Sequence, residues 1–141
     1  MKAAYRLRQA ANVANLSTPL GLLLAAAAAR GPVRRGPDGL LIAGGYRPPV
    51  PVASAFTLGN VVLVRRDAAS LLDRPALLRH EARHSTQYAW CLGPAMIPPY
   101  LLCAGISMLL CGDHASYNPF ERLADLEEGG YRRRPLWFRR R

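Results

Sequence analysis

The chain has 141 residues, of which half are hydrophobic and a fifth are charged. This balance excludes a disordered chain and is typical of a single globular domain with a hydrophobic core. The charge is strongly basic, with 19 Lys and Arg against nine Asp and Glu. No recurring pattern of aromatic and basic residues accompanies it, so the sequence disfavours a nucleic-acid-binding function.

The first 52 residues predict two helices and a Gly/Pro-rich segment. The helices and the loop that follows them are expected over residues 2–15, 18–29 and 30–38. The second helix is apolar and follows basic residues, so it resembles a signal peptide. However, the helix start Thr18-Pro19 and the stop Arg30-Gly31-Pro32 favour a buried structural helix.

The location of the protein is also indicated by its cysteines. Cys91, Cys103 and Cys111 lie among apolar neighbours and lack the spacing of a thiolate zinc site. Buried free thiols are typical of a reducing compartment. A cytoplasmic location is therefore favoured over secretion, with membrane association as an alternative.

The middle of the chain predicts a small sheet. Residues 39–43, 53–58 and 61–65 are rich in β-prone side chains, and Gly59-Asn60 is a turn dipeptide for a hairpin. We expect two or three strands here. With helices on either side in sequence, the fold class is α+β and mostly helical.

The next helix carries the most informative residues of the chain. Asp73 is the expected N-cap, Pro75 lies in the first turn, and the helix is expected to run to about Cys91. His80 and His84 lie four residues apart, so both imidazoles can reach one metal ion, while Glu81 lies beside the ion as a general base. The alternative is a capped surface helix that carries polar residues.

A catalytic zinc ion needs a third protein ligand, and Glu121 is the best candidate. A final helix is expected over residues 119–128, where Asp125 shares a face with Glu121 and could accept a hydrogen bond from a ligand imidazole. Alternatively, Asn118 and Glu121 form a capping box, in which Glu121 folds back to the Asn118 amide. His114 is the alternative ligand.

Further polar residues could contact a substrate. Gln87 lies on the same helical stripe as His80 and could face the cleft. A tyrosine hydroxyl could stabilise an oxyanion, and the candidates are Tyr88, Tyr117 and Tyr131.

Two segments could contact a membrane surface. Residues 92–112 carry no charge, but a helix opened by Pro99 and ending near Leu110 is too short to cross a bilayer. The last residues, 131–141, form an arginine-rich tail that could touch anionic lipid headgroups or phosphates. The alternative for the tail is a solvated terminus.

Three stretches of the sequence together resemble minimal zincin-like metallopeptidase domains of bacteria, of the gluzincin type. They are Ala55–Leu63, Leu77–Gln87, which contains the HExxH pattern, and Glu121–Asp125. The resemblance covers residues 53–130 and implies a zinc ion held by His80, His84 and Glu121, with Glu81 as general base and Asp125 in support. It also implies that a strand beside the motif helix binds substrate peptide in an extended conformation. In this sequence that strand is formed by residues Phe56, Thr57, Leu58, Gly59 and Asn60.

These observations predict a zinc-dependent peptidase that acts on a peptide or protein. The alternative is a non-catalytic module that is stabilised by zinc and docks to a membrane surface or a protein partner.

Overall fold

A computed structural model describes residues 1–140, and these residues form six α-helices and four β-strands. The helices are α1 Ala3–Ala14, α2 Ser17–Ala28, α3 Ala68–Leu72, α4 Pro75–Trp90, α5 Ile97–Cys111 and α6 Pro119–Leu123. The strands are β1 Val33–Arg35, β2 Leu41–Gly44, β3 Ala55–Leu58 and β4 Val61–Val64. The predicted α+β class is confirmed. Arg141, the last residue of the predicted tail, lies outside the described residues.

The sheet has the order β1-β2-β4-β3, with β2 and β4 parallel and the two outer pairs antiparallel. The predicted β3–β4 hairpin is present, with Leu58 opposite Val61. The predicted number of strands was too small, because residues 30–38 were expected to be only a loop and β1 lies within them. All three residues of β1 are exposed, so this strand has no hydrophobic alternation to reveal it.

The core lies on both faces of the sheet, because β4 is buried along its whole length. Val62 and Val64 pack toward α3 and α4, whereas Val61 and Leu63 pack toward α2. Successive strand residues point to opposite faces, so the unbroken apolar run of β4 serves two clusters at once. The face toward α4 is the one that positions the predicted metal ligands.

Two predicted helix ends were wrong. Asp73 ends α3 and is not the N-cap of α4; that position belongs to Arg74, which makes no side-chain capping bond. The last helix was expected to reach residue 128 but ends at Leu123. Asp125 adopts a left-handed backbone with φ of 76°, so the chain turns there. Asp125 and Glu121 therefore do not share a helical face.

The helix α5 stands apart by its composition. The helix expected to open at Pro99 and to be too short to cross a bilayer was predicted too short, because helical backbone already begins at Gly93. Residues Gly93–Cys111 form one helical stretch that is long and apolar enough to cross a membrane, and 17% of its most apolar window is buried. The helices α1 and α2, which meet at a bend of 72°, are together also long and apolar enough to cross a membrane. Core helices of soluble proteins and signal sequences share this length and composition, so these features alone do not identify a membrane span.

Candidate metal centre

The helix α4 aligns His80 and His84 on one buried face. Their Nε2 atoms are 3.1 Å apart, and their rings cross at 86°. This is the arrangement that the four-residue spacing predicts. Both side chains are buried, so their ring nitrogens face the interior of the protein and not bulk water.

Glu121, from α6, completes a group of three donors. Its Oε2 atom lies 3.0 Å from His80 Nε2 and 3.2 Å from His84 Nε2. A small divalent ion with tetrahedral bonds of about 2.1 Å separates its ligand atoms by about 3.4 Å. The three atoms therefore need to open by only a few tenths of an ångström around such an ion, and the group can hold one.

The contacts of Glu121 exclude its alternative role as a helix cap. Asn118 caps α6 by accepting a hydrogen bond from the Phe120 amide, and the Asn118 amide donates to Ala115. The Glu121 side chain does not fold back to this amide. Its Oε2 faces the histidines, while its Oε1 accepts a hydrogen bond from the hydroxyl of Tyr100.

Tyr100 is not one of the three tyrosines that the sequence predicts near the site, yet it contacts Glu121. Its ring lies 6.3 Å from that of His84, on the first turn of α5. Its hydroxyl holds one oxygen of Glu121 and so directs the other oxygen toward the two imidazoles. Sequence alone gave no signal for this contact, because α5 reads as a uniformly apolar helix.

Each imidazole is oriented through its second nitrogen. His80 Nδ1 is 2.7 Å from the backbone oxygen of Asp125, and His84 Nδ1 is 2.8 Å from Gln87 Oε1. A carbonyl oxygen only accepts, so His80 Nδ1 carries a proton. Gln87 donates through Nε2 to the Phe120 carbonyl, which turns its Oε1 toward His84. In the neutral rings, both Nε2 lone pairs therefore face the centre.

Two predicted roles change as a result. Gln87 was expected to face a substrate cleft, but both ends of its side chain are engaged in orienting His84 and holding α6. Asp125 was expected to accept a hydrogen bond from an imidazole through its carboxylate, but its contact with His80 is made by its backbone oxygen. Its carboxylate instead accepts a hydrogen bond from the Glu128 amide.

Electrostatics at the centre follow from burial and close contact. Burial alone would lower the pKa of His84, but its hydrogen bond to Glu121 and the charge of that carboxylate raise this pKa to about 9. Burial alone would raise the pKa of Glu121, but the hydrogen bonds from the two histidines hold it well below its usual range. A metal ion at this group would thus compete with protons for the same three atoms, since imidazoles bind metals in their neutral form.

Glu81 lies beside the group of three and not within it. Its Oε2 accepts a hydrogen bond of 2.7 Å from the hydroxyl of Thr57 on β3, which also lies 3.1 Å from the Glu81 backbone oxygen. The side chain is 3% exposed. Burial raises the pKa of the Glu81 carboxyl, an effect that neighbouring His84 opposes.

The other sequence-predicted residues are dispersed around the centre. Tyr131 lies near it, with its ring 6.0 Å from that of His80. The ring of Tyr117 instead contacts the guanidinium groups of Arg122 and Arg133, at 5.2 and 5.7 Å from its centroid. Tyr88 is buried.

His114, the alternative ligand, does not belong to the group of three. It lies 3.8 Å from Asp113, and its ring packs against Tyr131 at 5.3 Å. Within residues 1–140, His80, His84 and Glu121 are thus the only His, Cys, Asp or Glu side chains that converge as a group of three or more.

The predicted peptide-binding strand is β3, which lies at the edge of the sheet. Thr57 faces α4, as its bond to Glu81 shows. Gly59 and Asn60 are not free to contact a peptide. Gly59 packs against α2, where a Cβ atom at this position would lie 2.4 Å from the Thr18 amide nitrogen. The Asn60 side chain is buried and accepts a hydrogen bond from Asn12.

Comparisons with protein-family models, with curated proteins and with solved structures found no match for this chain. The resemblance to zincin-like domains therefore stays a prediction.

Proposed function

We propose that this protein is a zinc-dependent peptidase. The observation that carries the proposal is the convergence of His80 Nε2, His84 Nε2 and Glu121 Oε2 at 3.0 to 3.2 Å from one another. Two imidazoles and one carboxylate are a ligand set of catalytic zinc, and Mg²⁺ or Ca²⁺ would require oxygen ligands in larger number. Three protein ligands leave a fourth position for water or substrate.

In this proposal Glu81 transfers the protons of the reaction. Zinc, when bound, lowers the pKa of a coordinated water and polarises the scissile carbonyl. Glu81 accepts a proton from the attacking water, whose oxygen bonds to the carbonyl carbon. As the C–N bond breaks, Glu81 gives that proton to the leaving amine. The raised pKa of Glu81 suits a group that must both take up and release a proton.

Thr57 connects this chemistry to the sheet. Its hydroxyl holds Glu81 Oε2, so Oε1 is the oxygen that would face the water. The same strand is the edge of the sheet, and an extended peptide could add to it through main-chain hydrogen bonds. Residues 56–58 would then align the scissile bond with Glu81.

Substitution Glu81→Gln tests the proposal, because it preserves shape and removes the base. The zinc-loaded wild type should cleave an unstructured peptide library, read by mass spectrometry. Glu81→Gln should keep its zinc and lose about 10²- to 10⁴-fold in rate. Glu127→Gln, at an exposed carboxylate with no ligand role, is the matched control and should cleave like the wild type. Equal rates for Glu81→Gln and the control would contradict the mechanism, as would no cleavage by the wild type.

A second candidate is a non-catalytic module that zinc stabilises. One observation favours it: all three donor side chains are at most 9% exposed. In that case removal of zinc should lower the melting temperature, while Glu81→Gln and wild type should be equally inactive. Both candidate functions therefore predict bound zinc, but only the peptidase predicts cleavage of peptides by the wild type.

A further inference from the structure

The outward face of α5 is an apolar surface without a partner inside the protein. Its large side chains are mostly exposed, with Leu102 at 66% and Leu109 at 80%. No charged residue occurs between Leu92 and Gly112. Soluble domains rarely leave so continuous an apolar face in water unless it binds something.

The inward side of α5 carries two polar side chains, Tyr100 and Ser107, and both bond to the segment that follows the helix. The segment 113–121 runs back along the helix, and Tyr100 bonds to Glu121 at one end. Further along, Ser107 donates a hydrogen bond of 2.6 Å to Asp113 and accepts one of 2.9 Å from the Tyr117 amide. Because these polar contacts join α5 to the protein at two of its turns, the helix cannot be surrounded by lipid on all sides as an ordinary crossing helix is. It can present only its outer side to an apolar phase.

The basic tail is held at the C-terminal end of α5. The ring of Trp137 packs against Gly112, where a Cβ atom would lie 2.7 Å from Trp137 Cζ2. Arg140 donates to the carbonyl of Cys111. Trp137 and Phe138 are both more than half exposed, beside exposed arginines. Exposed aromatic rings next to arginines suit the boundary between lipid headgroups and acyl chains.

We propose that the outward face of α5 and residues 132–140 of the basic tail dock onto the surface of an anionic lipid bilayer. The helix lies in the plane of the interface with its apolar side in the acyl boundary, and the arginines contact lipid phosphates. A second copy of this chain fits the surface less well, because each copy carries a net charge of +10 and the two would repel. Anionic headgroups complement that charge.

Flotation with lipid vesicles tests the docking directly. The full chain should float with vesicles of phosphatidylcholine that contain about a third phosphatidylglycerol, and bind pure phosphatidylcholine at least about tenfold less. Binding should weaken as salt increases, since the arginine contribution is screened. Equal binding to both kinds of vesicle, or binding to neither, would overturn the proposal.

Matched substitutions separate the face of α5 from the net charge. Leu102→Glu and Leu109→Glu should each weaken vesicle binding about tenfold or more, because each puts a charge where the docked state would place an apolar side chain among the acyl chains. Val52→Glu makes the same change of charge at an 86% exposed position between β2 and β3, and should change binding less than about twofold. Circular dichroism and zinc content check that each variant is folded. Equal effects of Leu109→Glu and Val52→Glu would overturn the proposal.

Tryptophan fluorescence reports where the tail lies. With Trp90→Phe, at an 84% exposed position, Trp137 is the remaining tryptophan. Its emission should shift to the blue when phosphatidylglycerol vesicles are added, because the ring enters a less polar layer. An unchanged spectrum would overturn the placement of the tail. A dimer that Leu109→Glu dissociates, without vesicle binding, would assign the face to a second copy instead.

Discussion

Gly129 packs directly against the ring of a proposed ligand. A Cβ atom at this position would lie 2.6 Å from His80 Cε1 and 2.8 Å from His80 Nδ1. Real side chains do not approach so closely, so either the imidazole or the turn after Asp125 would have to move. Because Nδ1 of the same ring is held by the Asp125 carbonyl, such a movement would also disturb the orientation of Nε2.

Gly129→Ala should therefore weaken zinc binding by about 10- to 100-fold, as losses of ligand support do. Competition with a chromophoric chelator measures the affinity. Gly105→Ala is the matched control, since a Cβ atom there meets nothing within 4 Å; it should leave zinc affinity unchanged and stabilise α5 by about 0.5 to 1 kcal/mol. If both alanine variants bind zinc with wild-type affinity, the close packing of Gly129 against His80 does not contribute to zinc binding.

At the scale of residues, the local part of the site was predictable and the part that depends on the fold was not. The spacing of His80 and His84 determines that their rings share a helical face, whatever surrounds the helix. The contacts of Thr57 and Tyr100 depend on how β3 and α5 pack against α4 and α6, which sequence spacing does not contain. Gln87 lies seven residues after His80, on the same side of α4 as predicted. The residue it contacts, however, is His84, three residues before it in the chain.

At the scale of elements, α1 is tied to the motif helix by one buried side chain. Asn12 is fully buried and donates hydrogen bonds of 2.9 Å to Asn60 Oδ1 and to the Ser85 carbonyl. These bonds join α1, the β3–β4 turn and α4. The first 52 residues lie outside the predicted zincin-like core, yet they contribute a buried link to the helix that carries the histidines.

Asn12→Ala should destabilise the protein by about 2 to 3 kcal/mol, because buried acceptors lose their donor. The change would appear as a lower urea midpoint with an unchanged slope. Val13→Ala, at the exposed neighbouring position, should stay within about 0.5 kcal/mol of the wild type. Similar urea midpoints for the two variants would mean that the hydrogen bonds of Asn12 contribute little to the stability of the protein.

Helix boundaries were predictable where proline and glycine mark them. Pro75 opens α4 and Gly93 follows its end, so the helix of the motif was predicted within two residues. The end of α6 was not predictable in this way, since a left-handed aspartate has no clear sequence signal. That turn matters for the site, because it brings the Asp125 carbonyl to His80.

At the scale of the whole molecule, the fold combines a buried site with an unusually apolar and basic exterior. The site lies between α4 and α6, and α5 contributes to both features: Tyr100 bonds to Glu121, while Leu102 and Leu109 face outward. Docking at a bilayer would thus hold the proposed active site close to the membrane surface. The order of helical and strand patterns predicted the α+β class, and local composition predicted the apolar segment. It could not predict that polar residues would occupy one side of that segment.

The metal content of the purified protein tests most directly whether His80, His84 and Glu121 form one ion-binding centre. Mass spectrometry should find one zinc ion per chain in the wild type and in the matched control Glu127→Gln, and almost none in His84→Ala or Glu121→Gln, because two remaining ligands bind zinc weakly. A full complement of zinc in Glu121→Gln would contradict the account, since the ion would then be bound without the residue that closes the site.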